Sequence, residues 1–217
     1  MKEKRKRYSV YGDSISTFAG ISPAGGVFYD GWDGSRSGVL CPEDTWWMQV
    51  ILASGGLLGS NNSYSGSMVS GGELLSGTSW ERLRALGERG TPDVILVNMG
   101  ANDWGFGIPP TEFEYEYRRM LQRMKKLYPE AVIYCATLAE GEKPEDEIAF
   151  FNAEGVLSRR IYSEKICKVS GEENVRLADI AKYGRSYGTI DGIHPNKRGM
   201  KTLADLWLRE MREDRRL

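Results

Sequence analysis

The 217-residue sequence has a single histidine, three cysteines and no excess of charge of either sign. Lys and Arg number 29 against 30 Asp and Glu, whereas nucleic-acid-binding proteins usually carry a clear basic excess. We therefore expect no nucleic-acid partner. The sequence contains no apolar run long enough for a transmembrane helix, and no apolar segment follows the basic N-terminus as it would in a signal peptide. This pattern predicts a soluble, cytoplasmic protein, and it leaves the oligomeric state open.

The few cysteines and the lone histidine limit disulfide and metal chemistry. Cys41, Cys135 and Cys167 are widely spaced and form no CxxC or Cys/His pattern, so we expect free, buried thiols. Because His194 is the only imidazole, a histidine-based metal cluster is excluded. We predict no metal site, with a cation bound by carboxylates alone as the remaining alternative.

Strand and helix patterns alternate along the chain. The third and fourth of five predicted strands are almost continuously apolar, as buried parallel strands are. The predicted strands cover residues 7–11, 57–61, 93–99, 131–137 and 174–178. The predicted helices cover residues 43–53, 79–86, 111–128, 145–169 and 196–213. This alternation predicts an α/β fold with a parallel sheet, and without any linker-like stretch we expect one domain over residues 1–217.

Local chemistry supports two of these helices. Thr111 and Glu114 have the spacing of a capping box, in which the threonine would be the N-cap. Asn196 is suited to cap the last helix, whose apolar residues recur on one face. Packing of that helix on the sheet would fix the preceding loop, which contains Asp191 and His194.

Chemically active residue types follow the predicted strands. Ser14 lies just after the first strand, and His194 follows the fifth strand through a longer connection. Asn102 follows the third strand. Parallel α/β sheets place their sites beyond the carboxyl ends of the strands, so a hydroxyl, an imidazole and a side-chain amide should meet at one edge. These groups are the components of acyl transfer through a serine.

Each of these residues also has a purely structural interpretation. A serine at a strand-to-turn junction is most often a helix cap or turn residue, and an aspartate before Gly192 often forms an Asx turn. For the carboxylate that would orient His194 we favour Asp191, three residues earlier, with Asp179 as the alternative. Only the combination of residues favours catalysis over these interpretations.

Four short blocks, in this order, carry a resemblance to the SGNH (GDSL-type) hydrolase family. They are Gly12-Asp13-Ser14-Ile15, the segment 61–66, Gly100-Ala101-Asn102-Asp103 and Asp191-Gly192-Ile193-His194-Pro195. Each block is individually weak, but together they span nearly the whole chain. The sequence departs from the usual family pattern in two places. Ile15 replaces a leucine, and Ser63 stands where many members have glycine, which leaves Gly66 as the expected amide donor.

The resemblance implies a flavodoxin-like, three-layer α/β/α sandwich with a five-stranded parallel sheet, and ester or thioester hydrolysis without a cofactor. It implies that Ser14 is the nucleophile, His194 the general base and Asp191 the orienting carboxylate. The backbone amides of Ser14 and Gly66 and the side-chain amide of Asn102 would form the oxyanion hole. Two further carboxylates, those of Asp13 and Asp103, we expect to stabilise their loops through backbone hydrogen bonds.

The sequence says less about the substrate. Tyr29, Trp32 and Trp104 are candidate substrate-binding aromatics, as platforms for a sugar ring or walls of an acyl pocket. No long apolar lid segment is present, which favours a short acyl group, as in a carbohydrate deacetylase or general esterase. The alternatives are a thioesterase or lysophospholipase acting on longer chains and, from a different class, a non-catalytic flavodoxin-like binding module.

Overall fold

The structure is a computed structural model that describes residues 4–32, 36–71, 76–142 and 157–214. A parallel sheet lies at its centre. Its strands are β1 (Arg7–Gly12), β2 (Leu57–Asn61), β3 (Val94–Asn98), β4 (Val132–Ala136) and β5 (Arg176–Ala178). All five predicted strands are confirmed, with ends shifted by no more than about two residues because strand ends are poorly specified by sequence.

The strand order places β1 at the point where the chain reverses its direction of winding. The order is β2-β1-β3-β4-β5, and all neighbouring strands are parallel. In open α/β sheets, ligands bind beyond the carboxyl ends of the strands at such a switch point. Because β1 ends at Gly12, the residues that follow it, including Ser14, lie at this position.

Helices cover both faces of the sheet, since its central strands are apolar on both sides. They are α1 (Trp46–Ala53), α2 (Trp80–Ala85), α3 (Ala101–Gly105), α4 (Pro110–Leu127), α5 (Arg159–Glu172) and α6 (Lys197–Glu213). Helices α1 and α6 pack on one face, where the rings of Trp46 and Trp207 stack 4.9 Å apart. Helices α2, α4 and α5 pack on the other face. The predicted three-layer α/β/α sandwich is therefore confirmed.

Helix caps agree with the sequence at α6 and differ at α4. The Asn196 side chain accepts the Gly199 N–H at 2.9 Å, as predicted. The predicted capping box at Thr111 is wrong, because α4 already begins at Pro110 and Thr111 lies inside its first turn. Proline suits that position, since its fixed φ is helical and its missing N–H would have no partner there.

Three other helical predictions need correction. Residues 101–105, expected to be a loop, form the short helix α3. Helix α1 begins at Trp46 rather than residue 43, because the Thr45 hydroxyl accepts the Met48 N–H at 3.3 Å and so caps it. Helix α5 ends at Glu172 rather than residue 169, and residues 145–156 of that predicted helix lie outside the described part of the chain.

The cysteines are free, but they differ in burial. Cys135 is buried in β4 and Cys167 is partly buried, whereas Cys41 is exposed, so the prediction of buried thiols is wrong at that position. Cys41 falls outside the helices and strands, directly before the short 3-10 turn Pro42–Asp44. Among the described residues, no helix combines the length and apolar character needed to cross a membrane.

Candidate active site

The loop after β1 presents Ser14 at the carboxyl edge of the sheet. Ser14 begins a short 3-10 turn, Ser14–Ser16, and Asp13 caps this turn by accepting the Ile15 N–H at 3.0 Å. The Asp13 carboxylate is therefore in the loop-stabilising position that we expected. Burial raises the pKa of Asp13 to about 7, although the Ile15 N–H and the nearby His194 both oppose this shift.

One carboxylate builds the loop that contains His194. Oδ1 of Asp191 accepts the backbone N–H groups of Ile193 at 3.0 Å and of His194 at 2.7 Å. Gly192, between Asp191 and Ile193, has a φ of +84°, a conformation that glycine adopts without strain. The Asx turn and the orienting role are thus not alternatives, because the same side chain has the geometry for both.

The three residues predicted to act together form a continuous hydrogen-bonded chain. Oδ2 of Asp191 lies 2.6 Å from Nδ1 of His194, and Nε2 of His194 lies 2.9 Å from the Ser14 hydroxyl oxygen. An ionised carboxylate can only accept, so Nδ1 carries the proton and Nε2 offers its lone pair to the serine. Burial disfavours the charge on Asp191, but it is outweighed by the combined effect of the His194 ring, through its hydrogen bond and its electrostatic attraction, and of the backbone N–H groups of His194 and Ile193. Together these contacts lower the pKa of that carboxyl.

The alternative carboxylate, Asp179, belongs to a different network. Its Oδ1 accepts the Thr137 hydroxyl at 2.9 Å, and that hydroxyl in turn accepts the Ala181 N–H. Asp179 therefore ties together the ends of β4 and β5, away from the His194 ring. Of the two aspartates weighed from the sequence, only Asp191 contacts the imidazole.

An aromatic ring that the sequence did not single out supports the histidine. The ring of Phe28 stacks on the His194 imidazole, with centroids 3.7 Å apart and planes 9° from parallel. Phe28 is held by its own N–H, which donates to the Thr17 hydroxyl. The stack limits rotation of the imidazole and covers one of its faces. Phe28 was visible only as one aromatic residue in an irregular loop, so no sequence signal pointed to this contact.

The segments that follow β2 and β3 supply two further candidate hydrogen-bond donors at the same sheet edge. Gly66 follows β2 in a turn with a φ of +75°, and its backbone N–H, like that of Ser14, donates to no acceptor among the described residues. The Asn102 side chain, in α3, donates one N–H to the Ser67 carbonyl at 2.9 Å, which fixes the amide beside the Gly66 turn. Its second N–H is left for another acceptor.

Asp103 accepts the backbone hydrogen bonds that we expected, but from the loop after Gly66 rather than from its own loop. Its carboxylate accepts the backbone N–H groups of Val69 at 2.8 Å and Ser70 at 3.0 Å, together with the Ser70 hydroxyl. Burial raises the pKa of Asp103, and the bonds from Ser70 and Val69 oppose the shift. Asp103 thus links α3 to the Gly66 loop.

The three candidate substrate-binding aromatics have different environments. Trp32 is 70% exposed and its ring is open to solvent. Trp104 is partly buried: its indole N–H donates to the Leu157 carbonyl at 2.8 Å, and the Arg159 guanidinium lies 4.2 Å from its ring centroid. Tyr29 is buried and its hydroxyl donates to the Pro195 carbonyl at 2.9 Å. The interpretation of Tyr29 as a stacking platform is therefore corrected, because its ring packs inside the protein and supports the loop that contains His194.

A cavity lies beside the segments that contain Ser14, Asn102 and His194. Its volume is about 420 Å³, including space open to solvent. Asp13, Ala101 and Ile193, the residues that directly precede Ser14, Asn102 and His194, line this cavity. Its other walls are mostly apolar. Arg159 and Tyr187 add polar groups to the lining.

Several solved structures have the same fold, and they are described as lipases or esterases. A protein described as GDSL-like lipase from Bacteroides uniformis is 27% identical, with a TM-score of 0.71 and 97% of each chain covered. A psychrotrophic esterase from Pseudoalteromonas is 18% identical, with a TM-score of 0.62 over 96% of this chain and 97% of the other. A carbohydrate esterase family 2 enzyme from Corynascus thermopiles is 15% identical, with a TM-score of 0.63 over 97% of this chain and 68% of the other.

Comparison at the level of sequence gives the family. Curated protein sequences provide no match to this chain. The family model for GDSL-like lipase/acylhydrolase proteins matches residues 6–211, which is nearly the whole chain. The chain therefore belongs to the GDSL-like lipase/acylhydrolase family of enzymes.

Proposed function

We propose that this enzyme hydrolyses carboxylic esters of short acyl groups through an acyl-serine intermediate on Ser14. The observation that carries the proposal is the hydrogen-bonded chain from Asp191 through His194 to the Ser14 hydroxyl. It joins residues that are 180 positions apart, so the contact exists only because the fold brings the two ends of the chain together.

The reaction starts when Nε2 of His194 takes the Ser14 hydroxyl proton. The serine oxygen then forms a bond to the carbonyl carbon of the ester, and the carbonyl π electrons move onto its oxygen. Collapse of this tetrahedral adduct breaks the bond to the leaving alkoxide, which receives the proton held by His194. The product of this half-reaction is the free alcohol and an acylated serine.

Water completes the cycle by the same steps. Nε2 of His194 removes a proton from water as its oxygen attacks the acyl carbon, and the proton returns to Ser14 when the serine leaves. The carboxylate of Asp191 remains ionised throughout and stabilises the imidazolium, a role that its lowered pKa supports.

The negative oxygen of each tetrahedral adduct needs donors that already point at it. The backbone N–H groups of Ser14 and Gly66 and the second side-chain N–H of Asn102 are the donors we assign, since each follows the carboxyl end of a strand at the same sheet edge. Loss of one such donor typically lowers kcat by about 10²- to 10³-fold.

The cavity beside the site supports a small acyl group. The volume of about 420 Å³ includes space open to solvent, so the enclosed part of this cavity is small. An acetyl to butyryl group fits this volume better than a fatty acyl chain. The exposed indole of Trp32 supports a sugar as the alcohol portion, because a pyranose ring stacks well on an open aromatic face.

The descriptions of two structural relatives support ester hydrolysis. One is described as an esterase inhibited by monoethylphosphonate, a compound class that captures nucleophilic serines. Another is described as a carbohydrate esterase family 2 enzyme. Their low identities mean that they support the proposal by fold alone.

The test combines acyl-chain profiling with a matched pair of serine variants. Wild type should cleave p-nitrophenyl acetate and butyrate with the highest kcat/KM, which should fall at least about tenfold by the decanoate. Ser14→Ala should lose at least about 10³-fold in kcat. Ser65→Ala, one residue from Gly66 and without a role in proton transfer, is the control and should keep kcat near wild type. Acetate release from an acetylated oligosaccharide then tests the alcohol portion.

Each part of the proposal has its own refuting result. Full activity of folded Ser14→Ala would remove the acyl-serine mechanism. A kcat/KM that rises toward the decanoate would refute the short acyl group and favour a lysophospholipase or long-chain thioesterase. Absence of both esterase activity and phosphonate labelling in the wild-type protein would refute hydrolysis itself.

A further inference from the structure

A buried arginine lies behind the loops that carry the candidate oxyanion donors. Arg82 belongs to α2 and is only 3% exposed. Its guanidinium lies between two tyrosine rings, 4.6 Å from the centroid of Tyr11 and 5.0 Å from that of Tyr64. Burial lowers its pKa, whereas the neighbouring tyrosines and Asp13 raise it. Burying a guanidinium is costly, so its contacts indicate what the group does there.

The guanidinium donates to both of the loops that flank the nucleophile. Nη2 donates to the Gly12 carbonyl at 3.3 Å and to the Asn62 carbonyl at 2.9 Å. Nε donates to the Asn62 side-chain oxygen at 3.1 Å, and Nη1 donates to the Ser67 hydroxyl. One planar group therefore connects the end of β1 with the loop after β2.

These acceptors are covalent neighbours of the oxyanion donors. Gly12 lies two residues before Ser14, and Ser67 directly follows Gly66. The Ser67 carbonyl is also the acceptor that fixes the Asn102 amide at 2.9 Å. The positions of all three donors thus depend on groups that Arg82 or its partner Ser67 holds.

We propose that Arg82 is a positioning residue that sets the spacing of the oxyanion donors of Ser14, Gly66 and Asn102. The inference rests on the proposed function, because an oxyanion forms only if an ester is attacked there. Arg82 touches no reacting atom and works through the two loops. The fixed fork of five N–H donors explains why arginine is needed, since the three donors of a lysine ammonium lie at one point and cannot reach four acceptor atoms on three residues at once.

The experiment compares Arg82→Lys and Arg82→Met with a control on the same helix. Arg84→Lys is the control, because Arg84 is exposed and its guanidinium lies over the ring of Trp80, away from the acceptors of Arg82. On p-nitrophenyl acetate, Arg82→Lys should lower kcat by about 10- to 100-fold, less than full loss of a donor, with KM changed less than about threefold. Arg82→Met should lower kcat further.

Two readouts separate positioning from loss of fold. A trifluoromethyl ketone adds to a catalytic serine and places an oxyanion in the hole, so its Ki should rise in proportion to the fall in kcat/KM. The acid limb of the pH profile should not move, because Arg82 does not touch Asp191 or His194. Circular dichroism and urea unfolding report whether each variant is folded, and Ser67→Ala, which removes a single Arg82 contact, gives a milder version of the same change.

The experiment distinguishes failure of this inference from failure of the proposed function. If wild type neither cleaves esters nor binds the ketone, the proposed function is wrong and this inference falls with it. If wild type is active and folded Arg82→Lys keeps wild-type kcat and Ki, Arg82 is structural only and the inference is overturned. If both Arg82 variants unfold, an unchanged kcat and Ki in folded Ser67→Ala overturns the inference, and a several-fold lower kcat with a several-fold higher Ki supports it.

Discussion

Replacing Asp191 with asparagine should disable His194, the proposed catalytic base, while leaving its ring in place. Oδ1 of Asp191 accepts two backbone N–H groups, those of Ile193 and His194, at 3.0 and 2.7 Å. An amide nitrogen cannot accept hydrogen bonds, so the asparagine oxygen must stay there and its NH₂ must face Nδ1. Nδ1 then has to accept, and the ring proton moves to Nε2, which faces Ser14 at 2.9 Å. In that tautomer the ring cannot take the serine proton.

The magnitude follows from the loss of the productive tautomer. In serine proteases the same change lowers kcat by roughly 10⁴-fold, which corresponds to about 5 kcal/mol in the activation free energy. Asp191→Ala should cost less, about 10²- to 10³-fold. The Asp191 side chain is 43% exposed, so water can replace it and still accept the proton of Nδ1. The less conservative variant is therefore expected to be the more active one.

Steady-state hydrolysis of p-nitrophenyl acetate measures the rates, and ¹⁵N NMR measures the tautomer directly. Since His194 is the only histidine, its two ring nitrogens give signals that need no assignment among several residues. The proton should lie on Nδ1 in wild type and on Nε2 in Asp191→Asn. An asparagine variant within tenfold of wild-type kcat, or one whose proton stays on Nδ1, would refute this reasoning.

Two further predictions concern Asp13 and Trp32. The pKa of Asp13 in the folded state, about 7, lies above its ordinary value, so the stability associated with its neutral form is complete at low pH and is lost as pH rises through about 7. Urea unfolding should therefore show that Asp13→Asn is more stable relative to wild type at pH 8 than at pH 5, with a difference of about 2 kcal/mol in the free energy of unfolding. The same relative stability at both pH values would contradict this prediction. Trp32→Ala should raise KM for an acetylated oligosaccharide several-fold but leave p-nitrophenyl acetate unaffected, whereas equal effects on both substrates would argue against a sugar platform.

The parts of the site that the sequence predicts are those with a local or periodic signal. Asp191 and His194 are three residues apart, and strand patterns place Ser14 and Asn102 at strand ends that a parallel sheet must bring to one edge. The contact between Ser14 and His194 then follows from topology. Element boundaries were less well predicted, as at α4, where two prolines rather than Thr111 begin the helix.

The parts that the sequence does not predict depend on packing between distant irregular segments. Phe28 lies in a glycine-rich loop without periodicity, so nothing in the sequence indicates that its ring stacks on His194. Tyr29, its neighbour, was expected to face the substrate and is buried instead. Arg82 looked like an ordinary charged residue of a short helix, because its partners are backbone carbonyls and hydroxyls that carry no distinctive sequence pattern.

Two carboxylates lie beside the proposed catalytic residues Ser14 and His194, and their environments shift their pKa values in opposite directions. Asp13 is buried with one backbone N–H from Ile15, so its neutral form is favoured and its pKa is raised to about 7. Asp191 is partly exposed, accepts two backbone N–H groups and the ring N–H, and has a lowered pKa. Only an ionised carboxylate both fixes the Nδ1–H tautomer and stabilises an imidazolium. Burial and hydrogen bonding, rather than proximity to Ser14 alone, therefore support Asp191 as the proposed orienting carboxylate.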